Sequence, residues 1–266
     1  MLRRPGEDKA LSPLLLALLG LPRAVGFLTI LPVPRAAREA AVPADFVLPW
    51  FPVVGLIIGF LLLLPLRLLP SAGPLDFRAE FAAAALQLVL WALVTGALHL
   101  DGLGDVLDGL ALRATPEDRK AVLRDPHVGA VGAAGLAVFV LLKFGALLAS
   151  PTWGVLLAPA TARAATVVCM CLFPYGRLGE GTLGSTLWPR KRAAVAISAL
   201  LVLAAVVAAF APWRPMSLLA SGAALLWAIV FGSFLARSFG GLTGDCCGAI
   251  CETSEAAFLL ALSGLH

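Results

Sequence analysis

Charge is scarce in this sequence. Only 14% of its 266 residues are Asp, Glu, Lys or Arg while 60% are hydrophobic, and the mean hydropathy is +0.95. That balance excludes an ordinary soluble domain, whose charged share is about 25%. Histidine is rarer still, with only His99, His127 and His266, and none of the five cysteines forms a CxxC pair. A zinc site therefore has little to build on. Cys169 and Cys171, in an apolar run, and Cys246, Cys247 and Cys251, near the end, read as small buried residues in a reducing compartment. A secretory leader is not expected either. The basic, then apolar N-terminus is interrupted by Pro22 and Arg23, and no small-residue cleavage site precedes a soluble domain. An interfacial or half-inserted helix fits better, with Arg23 reaching back to the headgroups.

Long apolar runs are abundant instead. Several reach the roughly 20 residues that an α-helix needs to cross about 30 Å of hydrocarbon. The expected fold is all-α, a polytopic integral membrane helical bundle forming one domain over residues 1–266. Six spans are predicted, at about 46–66, 79–100, 129–149, 152–173, 192–211 and 216–237, after the N-terminal helix. The stretch 255–265 looks too short to cross. Basic residues alternate by loop. Six precede the first span, four lie in 101–128, and Arg177, Arg190, Lys191, Arg192 and Arg237 follow on the same side, against only Arg67, Arg78 and Arg214 opposite. An even number of spans and the positive-inside rule then put both termini and the two long loops in the cytoplasm. The net charge of +4 is explained by topology and calls for no nucleic-acid partner.

The few acids are not scattered. The segment HLDGLGDVLDGL, residues 99–110, carries Asp101, Asp105 and Asp108. If it continues the second span, these fall within about 60° of one helix face. Three like charges on one face need cations against them, either Arg and Lys or a divalent metal. Gly102, Gly104 and Gly109 strip side chains from the same segment, so a phosphate or another backbone can approach. A second group repeats the arrangement: Asp245, Glu252 and Glu255 among Gly240, Gly241, Gly244 and Gly248. Hard oxygen donors with so few histidines favour Mg²⁺, with Mn²⁺ an alternative. Two carboxylate groups on one side of a membrane suit a one- or two-metal phosphotransferase site.

Within this frame the motifs resemble a known family. HLDGLGDVLDGL, RDPHVGAVG at 124–132, PYGR at 174–177 and LTGDCCGAICETSE at 242–255, with FLTILPVP at 27–34 and FPVVGLIIG at 51–59, are similar in order to the cobalamin synthases, the adenosylcobinamide-GDP ribazoletransferases. The resemblance implies a Mg²⁺-dependent enzyme of the bacterial cytoplasmic (inner) membrane, acting late in cobalamin biosynthesis with its active site facing the cytoplasm. Its substrates would be adenosylcobinamide-GDP and α-ribazole or α-ribazole 5′-phosphate. The cobinamide phosphate would pass to the 5′-hydroxyl of the ribazole, releasing GMP. A looser similarity connects Asp105, Asp108, Gly109 and Arg113 to the DxxDGxxAR signature of the CDP-alcohol phosphotransferases, with Leu112 where that family has alanine. In its second half Gly241 and Asp245 fit, but the next acid falls on Ala249.

Asp101, Asp105, Asp108, Asp245, Glu252 and Glu255 are the expected metal ligands on this reading, with Asp245 or Glu252 as general base. Expected substrate contacts are His99, Arg113, Arg124, Asp125, His127, Lys143, Arg163, Tyr175 and Arg177. Guanidinium forks match phosphate oxygens. Lys143 and Arg163 lie inside predicted spans, where a charge costs roughly 2.5–3.5 kcal/mol on insertion scales, so both should face a partner in the bundle. The tryptophans, Trp91 among them, read as interfacial belt or packing residues. A transporter is the rival from another class, but the acids gather at one face rather than the midplane. A structural scaffold would need neither carboxylate group. Oligomeric state is not legible in the sequence.

Overall fold

The computed structural model describes residues 12–68, 77–125, 127–176, 186–210 and 214–264. The chain enters through α1 (Pro13–Leu28), where Ser12 caps the Leu15 amide and Pro13 takes a position whose N–H has no helical partner. At 16 residues α1 is too short to cross a membrane. Two short helices, α2 (Arg35–Glu39) and α3 (Ala44–Val47), lead through one 3-10 turn into α4 (Phe51–Leu61) and α5 (Leu64–Leu68). Then follow α6 (Phe77–Thr95), α7 (Leu98–Ala111), α8 (Pro116–Val122), α9 (Ala130–Ala149), α10 (Gly154–Leu172), α11 (Arg192–Phe210), α12 (Met216–Ser238) and α13 (Gly244–Gly264).

The membrane bundle is built around two helices. In α10 every residue from Gly154 to Cys171 is buried, which explains a sequence apolar or small on all sides. Gly55 and Gly59 of α4, one GxxxG step apart, lie against it. A Cβ on Gly55 would run into the backbone of Pro159 and Ala160, and one on Gly59 into that of Leu156. Close backbone approach between small residues is how helices associate where hydrocarbon removes the hydrophobic drive. The second inner helix is α13, packed on α10, α12, α7 and α9. The outer helices turn large apolar residues outward, among them Leu93 of α6, Leu141 of α9, Leu201 of α11 and Leu226 of α12, as a lipid-facing surface requires.

Two expectations change. Seven helical segments, not six, are long and apolar enough to cross: Ala44–Leu66, Phe77–Thr95, Ala130–Ala149, Gly154–Leu172, Arg192–Phe210, Met216–Ser238 and Gly244–Gly264. The seventh, α13, escapes a hydropathy reading because Asp245, Glu252 and Glu255 and its glycines dilute its first half. Those side chains are buried or half-buried against other helices and not exposed to lipid. With an odd number of candidate spans, parity no longer puts both termini on one side.

The aspartate segment does not continue α6. Gly96 (φ 59°) and Ala97 (φ 55°) adopt left-handed backbone, and the Ala97 amide bonds back to the Ala92 carbonyl at 2.8 Å, a Schellman-type stop. The freed Val94 carbonyl accepts from the Ile30 amide at 2.9 Å. A new helix, α7, then carries the acids.

Candidate active site

Helices α7 and α13 cross where glycines let them touch. A Cβ on Gly102 would lie 2.8 Å from the Asp245 carbonyl oxygen, and one on Gly248 would lie 3.2 Å from the His99 carbonyl oxygen. This contact brings the two acid-bearing motifs together. Asp101 and Asp245 border a cavity of about 270 Å³, whose lining also includes His99, Arg163 and Tyr175. Five of the expected site residues, from α7, α10, the segment after α10 and α13, therefore converge. Thr243 caps α13 by accepting from the Cys246 amide at 3.2 Å and donates to the Asp245 carboxylate at 3.3 Å. A carboxylate in the first turn of a helix is also favoured by the helix dipole.

A small β-bridge holds the entrance. Tyr175 pairs in parallel with Leu242: the Gly176 amide donates to the Leu242 carbonyl at 2.8 Å, and the Leu242 amide to the Pro174 carbonyl at 2.9 Å. Gly241 is indispensable here, because its φ of 122° strains any other residue and a Cβ on it would lie 2.6 Å from the Gly176 Cα. Lys120 ties in the loop after α7 by donating to the Gly176 carbonyl at 3.2 Å. The Tyr175 ring lies 4.9 Å from that of Trp188, another cavity residue.

Below the cavity lies a buried ion network. Lys143 of α9 donates to Glu252 at 2.7 Å and to Glu255 at 2.5 Å, and sits 3.9 Å over the Trp91 ring. Arg163 of α10 donates through one terminal nitrogen to Glu255 at 2.5 Å and to the Pro159 carbonyl at 3.1 Å. The Trp91 indole completes the set with a 3.2 Å bond to Glu255. Two cations thus face two carboxylates, the balance a low-dielectric interior demands. One part of Arg163 is left over. Its Nε and second terminal nitrogen are buried without a hydrogen-bond partner among the described residues, as are His99 Nδ1 and Trp188 Nε1. Each such group costs about 1–3 kcal/mol, more when charged, unless a ligand satisfies it. Burial first, then the neighbouring Arg163, hold the His99 imidazole down to about 3. It is therefore neutral and can both donate and accept.

Other expected residues go elsewhere. Asp108 caps α9 from outside, accepting the amides of Gly129 and Gly132 at 2.7 Å each. Those glycines are required because a Cβ on either would overlap the carboxylate. Glu252 and Glu255 are turned toward Lys143 and Arg163 and lie off the cavity. These three acids thus have protein partners where metal ligation was expected. Asp105 is half-buried, one turn from Asp101 on α7. Arg113 and Arg124 are exposed and do not line the cavity. Asp125 and His127 form an exposed local pair at 2.7 Å, which lowers the Asp125 pKa through that hydrogen bond. Arg177 lies outside the described residues. Sequence reasoning did not single out Trp91 as an acid partner, nor Thr166, Met170 and Trp188 as cavity residues; nothing in their local pattern distinguishes them from packing residues.

Among the described residues no three His, Cys, Asp or Glu side chains gather into a metal cage. Mg²⁺ does not need one. It commonly takes one or two carboxylates from a protein and completes its shell with water and substrate phosphate. Asp101, exposed at the cavity edge, and Asp105, at i+4 on the same helix, are donors of that kind, so the residues fit the ion.

The fold and site thus define a polytopic helical membrane protein with a carboxylate-edged cavity among its inner helices. The family profile described as cobalamin-5-phosphate synthase matches residues 20–263, and the chain belongs to that family. It is 36% identical over 250 residues to the adenosylcobinamide-GDP ribazoletransferase of Brevibacillus brevis, covering 91% of this chain and 96% of the relative. The ribazoletransferase of Stutzerimonas stutzeri is 37% identical, with 90% and 96% covered, and that of Laribacter hongkongensis 38%, with 89% and 93% covered. No solved structure matches the chain.

Proposed function

We propose that this chain is an adenosylcobinamide-GDP ribazoletransferase, forming adenosylcobalamin or its 5′-phosphate and releasing GMP. Family membership along 20–263 supports this over a transporter or a CDP-alcohol enzyme. The observation that carries the site assignment is the convergence of His99, Asp101, Arg163, Tyr175 and Asp245 on one cavity.

In the proposed reaction a ribose hydroxyl of the acceptor attacks the phosphorus nearer the cobinamide. The new P–O bond forms as the bond to GMP breaks, and the bridging oxygen leaves with GMP. Where the acceptor is the 5′-phosphate, as the family's description implies, the 5′ oxygen is blocked and a secondary ribose hydroxyl attacks. Asp101 and Asp105 would hold Mg²⁺, which when bound offsets the charge developing on the leaving phosphate. We assign the attacking proton to Asp245, because Asp245 lines the cavity and Glu252, paired with Lys143, does not. The buried walls around His99 and Met170 keep bulk water from competing as the nucleophile.

The same face carries the basic loops. Lys120, Tyr175 and Leu242 tie together the segments that follow α7, α10 and α12, and these hold Arg113, Arg119, Arg124, Arg190 and Lys191. We take this face as cytoplasmic in a bacterial inner membrane by the positive-inside rule, with the end of α13 opposite.

The test uses purified protein in lipid, supplied with adenosylcobinamide-GDP and α-ribazole or its phosphate. GMP and cobalamin should form with Mg²⁺ and stop with EDTA. A folded sample that releases no GMP would overturn the assignment.

A further inference from the structure

The cavity has two unlike ends and a restrictive size. Its volume is about 270 Å³, below the roughly 300–1,000 Å³ of drug-sized ligand pockets, so it suits a nucleoside and is far too small for a corrin with its side chains. Phe27, Phe51, Met170 and Leu187 form an apolar wall, with Phe27 and Phe51 stacked at 6.1 Å. Arg163, His99 and Trp188, also in the lining, bring the buried nitrogens that have no partner among the described residues.

Those nitrogens discriminate between ligands. Arg163 Nε, its second terminal nitrogen and Trp188 Nε1 are all donors, so they call for a ligand rich in acceptor oxygens beside an apolar ring. The Watson–Crick edge of guanine would instead present a ring N–H and an amino group, so a guanine could meet these donors only through its O6 and N7 edge. Among the described residues the only acidic acceptors in the lining are Asp101 and Asp245, which the reaction above already engages.

Resting on the transferase reading, we infer that this cavity is the acceptor subsite: it takes α-ribazole or its 5′-phosphate, with the aromatic ring on the apolar wall and ribose or phosphate oxygens on Arg163 and His99, while the corrinoid stays outside. Glu255 and Pro159 hold one nitrogen of the Arg163 fork, which leaves the others free for the acceptor. On this assignment the two substrates reach the carboxylates from different sides, and the acceptor needs neither metal nor corrinoid to bind.

Two measurements on the full chain in nanodiscs test the inference. The first follows tryptophan fluorescence with EDTA present and corrinoid absent. α-Ribazole and its 5′-phosphate should each bind, and GMP should not displace them; lack of binding by both in a preparation that turns over, or displacement by GMP, would overturn the assignment. The second compares KM values for Arg163→Lys, which keeps the charge but not the fork, and for Leu187→Phe, which narrows the cavity. KM for the acceptor should rise about tenfold or more in each, with KM for adenosylcobinamide-GDP within about twofold of wild type. The reverse pattern, or unchanged acceptor KM in both variants, would contradict it. Should Arg163→Lys fail to fold by its thermal melt, Leu187→Phe carries the comparison. Acceptor binding that Leu187→Phe weakens, in a protein that releases no GMP, would uphold the subsite and refute the transferase reading instead.

Discussion

Asp101 and Asp108 share one helix and do different work. Asp108 has both oxygens on backbone amides of α9, whereas Asp101 is exposed at the cavity edge. Asp108→Asn should therefore act mainly on stability, because an amide can accept only through one oxygen. The expected loss is about 1–3 kcal/mol, read as a lower melting temperature in lipid or detergent, with Mg²⁺ dependence unchanged. Asp245→Asn should do the opposite. If Asp245 takes the proton, kcat falls by about 10²–10⁴-fold while the Mg²⁺ concentration for half-maximal rate and the melting temperature stay near wild type. A large shift in Mg²⁺ requirement would make Asp245 a metal ligand instead.

At the scale of elements the decisive contact is the crossing of α7 and α13. Gly102→Ala places a methyl against the Asp245 backbone, and overpacking of that kind costs typically 1–3 kcal/mol. The variant should melt earlier and lose activity, since pushing the helices apart moves Asp101 away from Asp245. Much of this element was legible beforehand. The i, i+4, i+7 aspartates and their interleaved glycines announced a helix face that something must approach. The stop at Gly96 and Ala97 was not legible, because Thr95 and Ala97 look as helical as their neighbours and only Gly96 hints at a turn. Nor was the full length of α13. A hydropathy reading treats polar residues as exits from the membrane, and here Glu252 and Glu255 are neutralised inside it by Lys143 and Arg163. Those two cations were legible as needing partners; which acids they meet depends on how α9, α10 and α13 pack, and no local pattern encodes that.

The ion network makes the molecule one body, because it links α6, α9, α10 and α13 through four charges and one indole. Lys143→Met would leave two carboxylates facing one guanidinium, a loss of about 3–5 kcal/mol that a melt should register. Adding Glu252→Gln restores one charge against one and should recover most of that loss. Seven candidate spans likewise predict a topology: with the basic loops inside, a reporter at the C-terminus should read as periplasmic. A cytoplasmic signal would mean that α13 does not cross. The central claim, that the carboxylates gathered at the α7–α13 crossing form a Mg²⁺-dependent transferase site, is tested most directly by a Mg²⁺ titration of GMP release in wild type and Asp101→Asn. The half-saturating Mg²⁺ concentration should rise at least about tenfold in the variant, with the melting temperature preserved. An identical Mg²⁺ curve in a folded, active Asp101→Asn protein would contradict the account.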